Sequence, residues 1–406
     1  MKKIIVLSVF LLAVMSLHAQ ENRSPIKVGG QFYLASYYDS YKSVDNRDGV
    51  SYSYPQAPNL DPNGRDLNKV GQFGMSVYQT RLNVEAAGFS LLNANARFYA
   101  ETDFMGSSSD FVQMIRLRHA YLDLHWQKDE ILFGQTNNLN YPSEVTSGVL
   151  TAGAGSPIAI LHRPIMARYG HKLSGNWKVY TALSYHRVQV GNSGASRNSA
   201  LPSIEGRIQY GNGRVFLGLS GGAKLLRPRL VTDTGYEASA KIGSADMTAF
   251  LRWNSNGHTF KAQTAYGGNM SHLGMIGGYV KRADLMPEGT EFDYWYTNLK
   301  TMSIWAEFET KSYNNFHWGI FGGYMENLGS VKEVDPSVLY ARHANLHYTG
   351  RISPRLTWFK DKLLLGVEYS LFWSKWGKTF DEHYLPIESH DMTYNNRVTF
   401  LVRYTF

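Results

Sequence analysis

Cysteine is absent from all 406 residues. Its absence excludes a disulfide framework and any lipid anchor attached through a cysteine. Beyond the first segment there is no run of eighteen or more apolar residues, so no membrane-spanning helix is written in the chain. Proline- or serine-rich tracts, blocks of like charge and shifts in composition are also missing. The length would accommodate two or three soluble domains, yet nothing in the sequence marks a linker between them.

What is present is aromatic and small. The chain carries 27 Tyr, 20 Phe, 9 Trp and 38 Gly, spread from end to end, and its net charge is +8. At the start, Lys2 and Lys3 precede an apolar core at residues 4–14, with Ala19 before Gln20. This pattern predicts a processing signal over residues 1–19 and one exported domain over residues 20–406. Leu17 is larger than the residue usual two places before a cut, which leaves the cleavage point open. An exported, helix-poor, aromatic-rich chain points to an outer-membrane β-barrel, whose strands need only about ten residues each to cross.

The last thirteen residues carry the signal most cleanly. Val398, Phe400, Val402, Tyr404 and Phe406 alternate with Arg397, Thr399 and Arg403, and Leu401 is the one apolar residue on the polar face. A period of two means a strand, and apolar residues on one face suit lipid outside and water inside. A sandwich strand would show the same alternation, so the whole chain has to be read. Period-two segments fall at 26–38, 75–86, 92–103, 112–126, 131–136, 165–172, 177–187, 203–210, 214–222, 236–253, 258–268, 296–310, 317–324, 340–358, 362–373 and 394–406. Short links such as Gly211-Asn212-Gly213 alternate with long ones. The expectation is an all-β, 16-stranded antiparallel transmembrane β-barrel, porin-like, with turns at one end and loops at the other. Fourteen and eighteen strands are also compatible with the pattern.

In such a barrel the polar face of each strand lines a water-filled lumen. That assigns Arg81, Glu85, Arg97, Glu101, Asp103, Arg207, Arg252, Glu368, Arg397 and Arg403 to the pore. Opposed guanidinium and carboxylate groups set a charge preference, and the excess of arginine leans towards small anions. The segment 137–164 mixes Gly, Ala and Ser with an apolar Ile158-Ala159-Ile160-Leu161. It is expected to fold back into the barrel, placing Glu144, His162 and Arg163 at a constriction. A surface excursion or a subunit contact is the alternative.

Chemistry-bearing patterns are few. Gly218–Gly222 satisfies G-x-S-x-G but is followed by Pro228 rather than a helix, so it lacks the context of a nucleophile elbow. His119, Tyr121, Asp123 and His125 share one strand face and read as a polar lumen ladder rather than a metal site, since metal ligands converge from several elements. His343 and His347 carry the same ambiguity. Lys224, Arg227 and Arg229 suggest a basic loop near lipid headgroups or the channel mouth. No catalytic residue, metal or cofactor is expected, and dispersed charge argues against nucleic-acid binding.

Three segments carry a family resemblance: residues 97–104 (Arg-Phe-Tyr-Ala-Glu-Thr-Asp-Phe), 115–124 (Ile-Arg-Leu-Arg-His-Ala-Tyr-Leu-Asp-Leu) and 132–136 (Leu-Phe-Gly-Gln-Thr). Residues 266–269 and 277–279 match more loosely. On these the chain resembles the trimeric outer-membrane porins, most closely the DcaP-like porin family. The resemblance implies a homotrimer of sixteen-stranded barrels in the outer membrane of a Gram-negative bacterium, with an inward third loop and a preference for small carboxylates. It also implies delivery by the barrel-insertion machinery through Phe406. Residues 20–26 are too short for the N-terminal coiled coil that some members carry. The expected function is a diffusion porin for small hydrophilic solutes, weakly favouring anions. A substrate-specific channel and, further off, an outer-membrane phospholipase are the alternatives.

Overall fold

Alternation of apolar and polar side chains closes this chain on itself. The computed structural model describes residues 26–44, 46–187, 190–284, 293–310 and 314–406; the expected signal segment 1–19 lies outside them. Sixteen antiparallel strands form a closed ring. In chain order they are β1 (Ile26–Asp39), β2 (Arg81–Leu91), β3 (Ala94–Asp103), β4 (Arg116–His125), β5 (Asp129–Gln135) and β6 (Ile165–Lys172). Then come β7 (Trp177–Tyr185), β8 (Ser203–Gly211), β9 (Val215–Leu226), β10 (Ile242–Ser255) and β11 (His258–Gly268). The ring ends with β12 (Tyr296–Thr310), β13 (Phe316–Ser330), β14 (Leu346–Lys360), β15 (Leu363–Phe380) and β16 (Thr393–Thr405). Each strand pairs with the next, and β16 returns to β1 with Leu34 opposite Val402.

Closure leaves no free edge along the ring. Gly30 and Phe406 seal the seam, each donating its N–H to the other's carbonyl at 3.2 and 3.1 Å. A Cβ on Gly30 would sit 2.3 Å from the carbonyl oxygen of Arg81 and 2.8 Å from the Phe406 ring, so glycine is needed there.

Tight turns cluster at one end of the ring. Leu92 and Asn93, both at positive φ (53° and 58°), make a two-residue hairpin whose twist matches the strands it joins. Asn314, Asn315 and Asp361 take the same region at other turns. Connections at the opposite end are long. Four short strands extend the sheet there: Gln72–Ser76 pairs with β1, Gly277–Arg282 with β12 and with Val334–Arg342, and Pro386–Ser389 with β15.

Apolar residues cover the outside of the ring. Val28, Phe133, Leu183, Met247, Ile304 and Phe400 are exposed, while Arg397 and Thr399, on the other face of β16, are buried. A large apolar cluster occupies the inside, and it is built by loops. Val44, Tyr52 and Tyr54 from residues 40–71 meet Tyr141, Val145, Val149 and residues 158–160. Both sets pack on Phe216, Phe250, Trp305, Phe321 and Phe372 of the inner wall. Each such side chain taken from water contributes roughly 1.5–3 kcal/mol.

Several expected boundaries shift for physical reasons. The segment 75–86 divides at a turn over residues 77–80, where Thr80 donates its N–H to Val77. The segment 340–358 divides at His343, whose positive φ of 48° ends one ladder before β14 begins. Residues 236–241 precede β10 rather than belong to it. Lys224 is not part of a basic loop: it lies in β9 and its ammonium is buried. Gly218–Gly222 runs as extended β9 strand with no helix after it.

Candidate functional site

The connection between β5 and β6, residues 136–164, enters the barrel and is bound there by the wall. Glu307 of β12 accepts the Gly148 N–H with both carboxylate oxygens, at 3.0 and 2.7 Å. Glu368 of β15 accepts the Leu150 N–H at 2.8 Å. Lys261 donates to the carbonyl of Thr146 at 3.0 Å, and Gln263 donates to that of Asn140 at 3.0 Å. A non-repeating loop in a barrel interior has backbone groups that would otherwise be orphaned, and inward side chains of β8–β15 supply their partners. At its tip, Leu150 packs on Tyr33, Leu364 and Leu401. That contact explains the single apolar residue on the polar face of β16.

The loop crosses the lumen and leaves one large opening of about 1810 Å³. Thr259, Thr310, His317 and Phe359 line it near the short-turn end, and Arg47, Ser107 and Arg342 near the long-loop end. One continuous space therefore reaches both mouths of the ring.

Its walls are electrostatically one-sided. Nine arginines line it, Arg47, Arg81, Arg116, Arg118, Arg163, Arg187, Arg342, Arg355 and Arg403, against two acids, Glu101 and Glu309. Glu101 lies 4.0 Å from Arg81 and 2.5 Å from Arg118. Asp103, just behind, takes Arg116 at 2.6 Å and Arg118 at 2.9 Å. Glu309 is engaged by Lys261 and Arg355. Among the described residues no carboxylate lies within ion-pair distance of Arg47, Arg163, Arg187, Arg342 or Arg403. Arg163 instead donates to His119 at 3.2 Å, and Arg342 donates to the carbonyls of Ser271 and Met275.

The expected site residues divide three ways. Arg81, Glu101, Arg403, His162 and Arg163 meet on the opening. Glu85 and Arg97 face inwards nearer the short-turn end, where Arg97 reaches Glu85 at 3.6 Å and Asp123 at 3.2 Å; Asp103 backs the opening from the same wall. Arg207, Arg252, Glu368 and Arg397 also face inwards but are used by the loops or wall. Arg207 stacks 4.6 Å over Tyr180 and donates to the Leu139 carbonyl at 3.4 Å, while Arg252 covers Phe216. Arg397 grips Asp39 at 2.7 and 2.6 Å and donates to Ser53 and Gly49 of the first loop. Glu144 sits in a short turn, Ser143–Val145, and is not among the residues that line the opening.

Arg47, Arg116, Arg118 and Arg342 were not legible as a group. Arg116 and Arg118 fall on the opposite parity from His119 and Tyr121, which should send them outwards. A register shift between β3 and β4 leaves Arg118 as the extra residue, so both sets point inwards. Only a doubled polar run at 116–119 hinted at it. Arg47 arrives on a first loop whose polar composition gave no sign of entry.

No protein-family model matches the sequence, and no curated protein does either. Solved structures do match, over nearly the whole chain. The outer membrane channel DcaP of Acinetobacter baumannii superposes with a TM-score of 0.67 at 17% identity, covering 94% of this chain and 97% of its own. An anion-selective porin from Comamonas acidovorans gives 0.58 at 11%, covering 94% and 99%. OmpT of Vibrio cholerae, in a trimer form, gives 0.54 at 10%, covering 94% and 99%. The fold is that of a porin-type transmembrane β-barrel.

Proposed function

We propose that this chain is an outer-membrane diffusion channel for small hydrophilic solutes, with a preference for anions. One observation carries the reading: a continuous opening of about 1810 Å³ reaches both ends of the barrel and is lined by nine arginines and two glutamates. Fixed positive charge in a low-dielectric wall raises the local concentration of anions and lowers that of cations. The exposed apolar belt meets outer-membrane lipid, residues 1–19 direct export, and Phe406 serves the insertion machinery. The assembly is a homotrimer, a reading supported by the likeness to the outer membrane protein OmpT of Vibrio cholerae in its trimer form.

Reconstitution in planar bilayers under a salt gradient tests the reading. A steady ohmic pore whose reversal potential favours chloride over potassium is the expected result. Cation preference, or no conductance from folded protein, refutes it.

A further inference from the structure

Outside the arginine-lined wall lies a second cluster of titratable groups, brought together from six elements. His162 comes from the inward loop, His186 follows β7, and His272 sits in a short turn, Met270–Leu273, after β11. Their rings lie 4.6–6.2 Å apart, centre to centre. All three are buried, yet His162 and His272 also border the solute opening. Glu205 of β8, Lys224 of β9 and Asp246 of β10 face them from the wall. Arg163 adjoins His162 and leads to His119, and Arg342 holds the turn that carries His272.

The contacts in this cluster can all be made by uncharged rings. Lys224 lies 2.6 Å from Nδ1 of His272, and an ammonium has donors alone, so that nitrogen must accept. The proton of His272 is then on Nε2, which faces Asp246 at 3.5 Å. His162 Nε2 lies 3.0 Å from His186 Nδ1, and Nε2 of His186 faces Glu205 at 3.2 Å. A proton on the Glu205 side leaves His186 Nδ1 as the acceptor from His162. Adding a proton to Nδ1 of His272 would set donor against donor at the Lys224 ammonium. Burial, and then neighbouring positive charge, already holds His162 and His272 well below the ordinary imidazole range.

This joint also clamps the constriction. Leu161 donates to the carbonyl of Leu273 at 3.1 Å, tying the end of the inward loop to the His272 turn. Tyr52 of the first loop donates to the Gly274 carbonyl at 3.0 Å. Both loops that narrow the opening are therefore tied to the turn that carries His272.

We propose that His162, His186 and His272 form an acid-released latch: protonation frees residues 156–163 and the His272 turn, which then lean into the opening and close it. The proposal rests on the channel reading. The sign follows from linkage. Burial holds the latched His162 and His272 neutral, whereas released rings in water titrate near pH 6.5. Above that value acid has no hold on the latch; below it, each histidine that charges shifts the balance towards release by up to about tenfold per pH unit.

Single-channel recording of the full chain from pH 7.5 to 4.5 tests this, with the double variant His186→Gln, His272→Gln alongside. We expect a steady open channel at pH 7.5, closures that multiply below about pH 6.5, and a variant that stays open at pH 4.5. A wild-type channel steady down to pH 4.5 overturns the proposal. So do equal closures in both proteins, which would assign the titration to Glu101, Glu309 or another group. No conductance at pH 7.5 would sink the channel reading itself. Retarded migration of unheated protein reports folding. Should the double variant not fold, His162→Gln carries the comparison: a shallower pH dependence supports the latch, and an unchanged one overturns it.

Discussion

Glu307 and Gly148 join wall to loop through one carboxylate, both of its oxygens and one backbone N–H. The same carboxylate pairs with Lys261 at 3.0 Å and Arg355 at 2.9 Å. A hydrogen bond to a charged group contributes about 1.5–3 kcal/mol, and its loss here would also leave Lys261 and Arg355 to share Glu309 alone. Glu307→Gln is expected to loosen the inward loop and raise open-channel current noise. Recordings at neutral pH that match wild type would show that the loop is held elsewhere.

Selectivity should follow the arginines that line the opening. Replacing Arg81 and Arg403 together by Gln is expected to reduce the anion-to-cation permeability ratio several-fold. Arg97→Gln should leave it nearly unchanged, because Arg97 is paired with Glu85 and Asp123 beyond the opening. Reversal potentials in a salt gradient measure both. An effect of Arg97→Gln as large as that of the double variant would contradict the assignment.

Leu401 and Leu150 offer a packing test. Leu401→Ala removes apolar contact at the loop tip, costing the docked loop about 2–4 kcal/mol on the scale of buried truncations. The barrel ladder is untouched. Limited proteolysis should therefore cut within residues 148–156 of the variant while the ring stays folded. A variant as resistant as wild type would mean that Glu368 and Glu307 suffice.

At the seam, Gly30→Val places a branched side chain against the carbonyl of Arg81 and the ring of Phe406. The expected outcome is a lower yield of folded, heat-modifiable barrel in the outer membrane. Normal yield would indicate that the seam yields without cost.

The ring itself was legible in the sequence because period-two alternation is a direct consequence of lipid on one side and water on the other. Val398 to Phe406 shows it with Leu401 as the one exception. Legibility failed where water was replaced by protein. Phe216, Phe250, Trp305 and Phe321 point inwards, yet by side chain they look lipid-facing; the loops that cover them are what make them stable there. Periodicity assigns a face but no partner. Arg397 and Arg403 read alike on β16, although one is locked to Asp39 and the other faces the opening. The extra residue at Arg118 defeated parity altogether.

The allotment of negative charge in this barrel has a consequence for how permeation can change. Glu307, Glu368, Glu205 and Asp246 are tied to the loop or to the histidine joint, so few acids are left to offset the guanidinium groups beside the solute. Ion preference thus depends on groups no passing ion meets. A neutral replacement deep in the scaffold would retune traffic from a distance, by releasing a cation to the water.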